Sequence, residues 1–369
     1  MHDNKTQFYD VSVSENPGEV CADIDSVGSL RSPPKTSKLL KLILLAVSFR
    51  ATSLLISALA FNTPVKNRFK RSNYMMMKQV SDRARRRGKI GKVPIISRTI
   101  SIDIKVPSES PQKGDLSATV YSEGNEIKTL DVTVWEMDKP SDLIHEWWSI
   151  DQSERDARVG DPFGVVMWPG SILAAQEMMK MHYTPQYKSP ISNATVLVLG
   201  AGTGVEAKTA ALLGAKRVIA TDINPLTLKL LEYGANDDIR IGDNFEGKYF
   251  DLFSDLALPT CDILIAADVL YNPELAKQVG RRLHEAIVRR FVVGESPTKV
   301  IVTDSQQFHG TNFLEEVSEL RELNAMFKEE NYEQLRWVTQ KLEKVCTSGV
   351  LIDEDQTYDV DVRMISWGW

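Results

Sequence analysis

The chain has 369 residues, 43% of them hydrophobic, enough to bury one sizeable core with residues to spare. Its formal charge of −6 hides an asymmetry: the segment Asn62 to Arg98 holds twelve basic residues and one acid, so the remainder sums to −17. An acidic body repels phosphate backbones, which argues against a nucleic-acid partner. The three cysteines and five histidines show no paired or ligand-like spacing, which argues against a metal.

The N-terminal region, 1–98, is read as a disordered terminus with targeting features. Residues 1–38 are polar and poor in aromatics. Leu39 to Ala60 is the most apolar stretch, but Lys41 and Arg50 make a spanning helix unattractive. It ends Ala58-Leu59-Ala60, a small-x-small cleavage pattern, and the basic, acid-poor run Asn62 to Arg98 then has transit-peptide composition. This two-part arrangement resembles the presequences of algae with complex plastids, which implies plastid import; a membrane anchor or another organelle is the alternative.

Residues 99–161 form an accessory, substrate-side region. Ile100 to Val106 and Leu130 to Met137 alternate apolar and polar, predicting strands, and Asp142 to Ile150, with Trp147 and Trp148, predicts a short helix capping the sheet or a cleft. The third region, 162–369, carries the chemistry.

Val196 to Leu199 predicts a buried strand, broken by Gly200, Gly202 and Gly204 and followed by a helix. Glycines suit a sharp turn where a ligand approaches the backbone. A second strand, Arg217 to Thr221, ends in Asp222, placed to bind the hydroxyls of a ribose. This is the pattern of a nucleoside cofactor site, and the loop alone leaves open a dinucleotide or S-adenosylmethionine (SAM). Cys261 to Ala267 predicts another buried strand, ending in Asp268-Val-Leu-Tyr271 at the side where an open α/β sheet binds ligands. After the strand Lys299 to Thr303 come a helix, Asn312 to about Glu330, and two strand-like runs, Leu342 to Leu351 and Tyr358 to Trp367.

Taken together, the glycine loop, Asp222, Asp268-x-x-Tyr271 and the upstream Phe163-Gly164-Val-Val-Met-Trp168-Pro169-Gly170-Ser171 resemble the seven-strand SAM-dependent methyltransferases, in particular the lysine methyltransferase family 16 branch. The resemblance implies an α/β fold: a Rossmann-like, seven-stranded, mostly parallel sheet with a C-terminal antiparallel hairpin, here with a small N-terminal β-rich accessory region. It implies SAM as cofactor and a lysine-bearing protein as substrate. Small-amine or nucleic-acid methylation, or a non-catalytic SAM-binding scaffold, are the alternatives. It also implies site roles: Gly200, Gly202 and Gly204 at the methionyl part, Asp222 on the ribose, small Ala267 beneath the cofactor, and Trp168 over it on a helix that acts as a lid. Asp268 would orient the amine and Tyr271 wall it in. Asp268 as a mere cap on the helix near Pro273, and Trp168 as a core residue, are the structural alternatives. Two departures stand out. Val198 occupies a position where many members carry an acid. The usual Asp-Trp after the third strand is missing; Phe250-Asp251-Leu252-Phe253 and Ser254-Asp255 are the nearest candidates, with Asp251 taken as the adenine contact.

Overall fold

In a computed structural model, the structure describes residues 85–107, 125–149, 161–184, 191–305, 338–339, 343–348 and 357–368, all within the unit Asn62–Trp369. The readings made on residues 1–84, on the helix after Asn312 and on the side chain of Trp148 lie outside the described residues.

In chain order the strands are β1 (Arg87–Ile90), β2 (Val93–Pro107), β3 (Asn125–Met137), β4 (Thr195–Leu199), β5 (Arg217–Asp222), β6 (Phe245–Tyr249), β7 (Ile263–Ala267), β8 (Lys299–Asp304), β9 (Val338–Thr339), β10 (Glu343–Ser348) and β11 (Thr357–Trp367). The helices are α1 (Ser141–Ser149), α2 (Pro169–Tyr183), α3 (Val205–Leu212), α4 (Pro225–Asn236) and α5 (Pro273–Val292).

The branched run of β4 makes an interior strand of the large sheet, because a strand covered on both faces needs apolar side chains at every position. Val196 and Val198 face one core with α2 and α3; Leu197 and Leu199 face the other with α5. The order is β10-β11-β8-β7-β4-β5-β6, with β9 beside β11. Strands β4 to β8 pair in parallel, and β11 runs antiparallel to β8, β9 and β10. This is the expected parallel sheet with a closing hairpin, plus the two-residue β9 as an eighth strand.

Strands β1, β2 and β3 form a separate antiparallel sheet. Ile100, Ile102 and Ile104 of β2 alternate inward, with Val132 and Val134 of β3, onto the core shared with α2. Each such side chain contributes about 1.5–3 kcal/mol by leaving water. The layers therefore run α5, large sheet, α2 with α3, small sheet. The small sheet starts at Arg87, ahead of the expected boundary at 98/99. Within the supposed transit segment, Arg98 is buried and ion-paired with Glu136 at 2.7 Å.

One expectation is corrected. Helix α2 was to be a lid over the cofactor. Instead Ile172, Leu173, Ala174, Ala175, Met178 and Met179 are all fully buried between the two sheets, and only its first turn reaches the site. Its buried residues cover most of the circumference, and the narrow stripe Gln176, Lys180 and Tyr183 keeps exposure.

Candidate active site

The order of the large sheet reverses at β4, which pairs with β5 on one side and β7 on the other. Ligands of open α/β sheets bind outside the strand C-termini at such a switch point. Here a cavity of about 560 Å³ opens, a size that suits a small-molecule site. Of the expected residues, Trp168, Gly200, Gly202, Asp222, Asp251, Ala267, Asp268 and Tyr271 all line it.

The turn after β4 requires its glycines. Gly200 and Gly202 take φ of 61° and 53°, a region that costs other residues roughly 1–2 kcal/mol. A Cβ on Gly200 would also meet Val269 Cγ1 at 2.5 Å. Gly204 departs from its expected role: it is the N-cap of α3 at φ 80°, packed against Leu231, and is not part of the cavity wall. Its glycine serves helix entry.

Asp222 ends β5. Its Oδ2 accepts the Gly202 N–H at 3.1 Å and its Oδ1 accepts the Asn224 N–H at 2.8 Å, so the acid is fixed to the glycine turn. Burial outweighs these bonds and pushes its carboxyl up to about 6. Asp251 lies beyond β6, where its Oδ1 holds the Phe253 N–H at 2.9 Å. Arg282 of α5, itself buried, secures this loop by donating to the carbonyls of Leu252 and Leu256, each at 2.9 Å, and of Ser254.

Asp268 has a different structural job from the one weighed for it. The helix starting at Pro273 is capped by Asn272, whose Oδ1 accepts from Glu274 N at 2.9 Å and Leu275 N at 3.3 Å. Asp268 instead reaches α2: its Oδ2 accepts the Gly170 N–H at 2.6 Å and its Oδ1 the Ser305 N–H at 2.5 Å. Thr303 Oγ1 adds a bond to the Gly170 carbonyl at 2.8 Å. Asp268 thus ties the ends of β7 and β8 to the N-terminus of α2, at φ 54°, with one edge still on the cavity. Burial raises its carboxyl to about 6.

Ahead of α2, residues 161–168 form a strap across the cavity, with a 3-10 turn at Phe163–Val165. Trp168 Nε1 donates to the Phe163 carbonyl at 2.8 Å, so the tryptophan is a strap residue as well as a cavity wall. The Phe163 ring meets Trp168 and Tyr271 edge-on, at 6.2 and 5.6 Å between centroids. The strap is pinned by Asn224 Nδ2 to the Asp161 carbonyl at 2.7 Å and by Met167 N to Glu136 Oε1 of the small sheet at 2.7 Å. Trp147 of α1 lines the cavity too, as a cap over the cleft should.

Sequence reasoning missed Asp161, Asn224 and Arg282. The Asn-Pro pair at 224–225 is a readable helix-start signal; the other two carry no local signal.

The cavity wall suits SAM on these observations: a glycine cradle that a Cβ would obstruct, an acid fixed beside it and, among the described residues, no cationic side chain to repel a sulfonium. Gly200, Gly202, Asp222 and Ala267 would hold the cofactor, which supplies an already activated methyl group. Fold and site define a class I, SAM-dependent methyltransferase. Within that class, residues 152–289 match the family model described as lysine methyltransferase.

Solved structures similar to the chain include a candidate RNA methyltransferase from Pyrococcus horikoshii, at 17% identity over 63% of this chain and 97% of that one, TM-score 0.36. Another is a precorrin 8W decarboxylase from Methanobacterium thermoautotrophicum, at 19% identity over 58% and 98%, TM-score 0.36. A third is a candidate methyltransferase complexed with S-adenosylhomocysteine, at 15% identity over 54% and 50%, TM-score 0.33. No curated protein matches the sequence.

Proposed function

We propose that this methyltransferase acts on the side-chain amine of lysine in a protein. The observation that carries the reading is the charge of the cavity wall. Asp161, Asp222, Asp251, Asp268 and Glu274 line it, and among the described residues no lysine, arginine or histidine does. Such a wall favours two cations, a sulfonium and an ammonium, and opposes a phosphate-bearing acceptor. The description of the matching family model supports the same target.

Methyl transfer from an activated donor is mainly a matter of alignment in a dry pocket. Gly200 and Gly202 let the backbone lie against the cofactor, Asp222 takes the ribose hydroxyls, and Ala267 leaves room at the strand end. Asp251 is the acid nearest the expected adenine position. Phe163, Trp168 and Tyr271 form an aromatic wall of the same cavity, with Trp168 over the cofactor and Tyr271 beside the acceptor. Asp268 ties down the strand ends beneath and presents its remaining lone pairs to the amine.

Calorimetric titration with SAM, S-adenosylhomocysteine and NAD, followed by transfer of labelled methyl groups to extract proteins, tests the reading. SAM binding followed by Nε-methyl-lysine in the acid hydrolysate is the expected result. Label in nucleic acid or free amines, with none in lysine, would overturn it. For the N-terminal region we propose plastid delivery, narrowed to the residues ahead of the small sheet. Residues 1–84 fused to a fluorescent protein should reach the plastid of an alga with complex plastids; retention in the cytosol or at another membrane would refute this.

A further inference from the structure

Asp161 belongs to none of the motifs, yet it is paired with the motif tyrosine. Its Oδ1 accepts the Phe163 N–H at 3.0 Å, and its Oδ2 accepts the Tyr271 hydroxyl. Both side chains line the cavity and, though largely buried, keep partial exposure, so the pair is reachable from it. A phenol that donates its hydrogen to a carboxylate turns its lone pairs the other way. Here the Tyr271 oxygen is left as an acceptor for a donor in the cavity. Asp222 also acts electrostatically on Tyr271, with Asp251, Asp268 and Glu274 elsewhere on the wall and no cationic side chain among the described lining residues.

We propose that Asp161, acting through Tyr271, receives the proton that a lysine ammonium must lose before its nitrogen can accept a methyl group. This rests on the lysine reading above. The exchange balances without any outside reagent. An ammonium N–H passes its proton to the phenol oxygen while the phenol proton passes to the Asp161 carboxylate. The products are a neutral amine, an intact tyrosine and a neutral carboxylic acid. An ordinary aspartate is weaker than a lysine amine by about six pKa units. Burial narrows the gap chiefly by raising the Asp161 carboxyl, because the acidic wall that attracts the ammonium offsets its desolvation. The high phenol pKa imposed by burial and the nearby acids keeps Tyr271 protonated, so it conducts the proton rather than retaining the charge.

The test uses the full chain with tritium-labelled methyl SAM and a soluble protein extract as acceptor pool, reading Nε-methyl-lysine after acid hydrolysis from pH 6 to 10. Asp161→Asn keeps the acceptor for the Phe163 N–H but cannot take a proton. It should lose roughly 10²–10³-fold in rate at pH 7, the scale of a positioned acid–base group, and regain about tenfold per pH unit as solvent deprotonates the amine. Tyr271→Phe should behave alike, and the double variant should be no worse, because the two residues act as one unit. SAM affinity should fall far less than the rate throughout. Independently of turnover, the ¹³C-carboxyl resonance absent from Asp161→Asn should titrate above ordinary aspartates, and higher still in Tyr271→Phe, which lacks the hydrogen bond that lowers it. A loss that does not vary with pH, additive single losses, or a matching fall in SAM affinity would reduce Asp161 to a fastener of the strap. If the unaltered protein binds SAM yet makes no methyl-lysine at any pH, the lysine reading itself fails, and the relay with it.

Discussion

Glu206 offers a quantitative check on the core behind the glycine loop. Its side chain is fully buried in the first turn of α3, and no well-aligned donor reaches either carboxyl oxygen. Burial pushes its pKa from 4.5 up to about 7, softened by its own N–H and the Ser171 hydroxyl and increased by Asp268 and Asp222. A carboxyl whose folded pKa exceeds its unfolded value binds more protons when folded. Its contribution is therefore fully present below about pH 4.5 and is lost as the pH rises through about 7. Replacing it with methionine removes the ionisation and leaves a side chain of similar length. The constant part of the change depends on packing, but the pH-dependent part depends only on the two pKa values. Between pH 5.5 and 8.5 the methionine variant should gain about 2 kcal/mol relative to the parent, from linkage at about 1.36 kcal/mol per pKa unit. Urea unfolding of both proteins at the two pH values, without ligand, measures it. A difference unchanged by pH would mean that Glu206 ionises normally in the folded protein, and the desolvation argument would fail.

Three further outcomes are expected. Gly200→Ala should weaken SAM binding at least tenfold by calorimetry, because the new methyl meets Val269 and the backbone there costs a non-glycine residue about 1–2 kcal/mol; unchanged affinity would place the turn away from the ligand. Asn272→Ala should destabilise the protein by about 1 kcal/mol as a lost cap, whereas Asp268→Asn should cost about 1–3 kcal/mol by turning an amide hydrogen toward the backbone N–H of Gly170 or Ser305; equal effects in urea titrations would refute the distinct roles. SAM affinity should fall as the pH drops through about 6, where Asp222 and Asp268 take up protons and stop favouring a cation, and a flat dependence between pH 5 and 8 would exclude both.

The parallel strands were readable because a strand buried on both faces leaves an unbroken run of branched residues, as at Val196–Leu199 and in the run ending at Ala267. The edge strand β6 was not: Phe245–Tyr249 has a glycine at its centre and mostly polar neighbours, so neither run nor alternation appears. Strand β1 and the start of β2 were masked by their own arginines. Composition suggested a leader, while the partner that neutralises Arg98, Glu136, lies 38 positions further on. At the site, the glycines, Asp222 and Tyr271 announced themselves through short-range spacing. Asp161 did not, because its meaning comes from Tyr271, 110 residues away. The lid expectation for α2 failed for a related reason. Whether an apolar helix end covers a ligand or sits under a second sheet is decided by β2 and β3.

The burial of most of α2 between two sheets has a practical consequence for the size of the smallest working enzyme. A chain shortened to residue 99, the boundary composition suggested, would lose β1 and the first half of β2, including Ile95, which packs with Trp135 and Val166. It would leave Glu136 without Arg98, and Glu136 is the residue that fastens the strap at Met167. The harm would not stay at the trimmed end but would reach the cofactor pocket through the strap. Shortened forms meant for expression or crystallisation should therefore begin at or before Arg86, whose guanidinium still grips Asp237 at the end of α4.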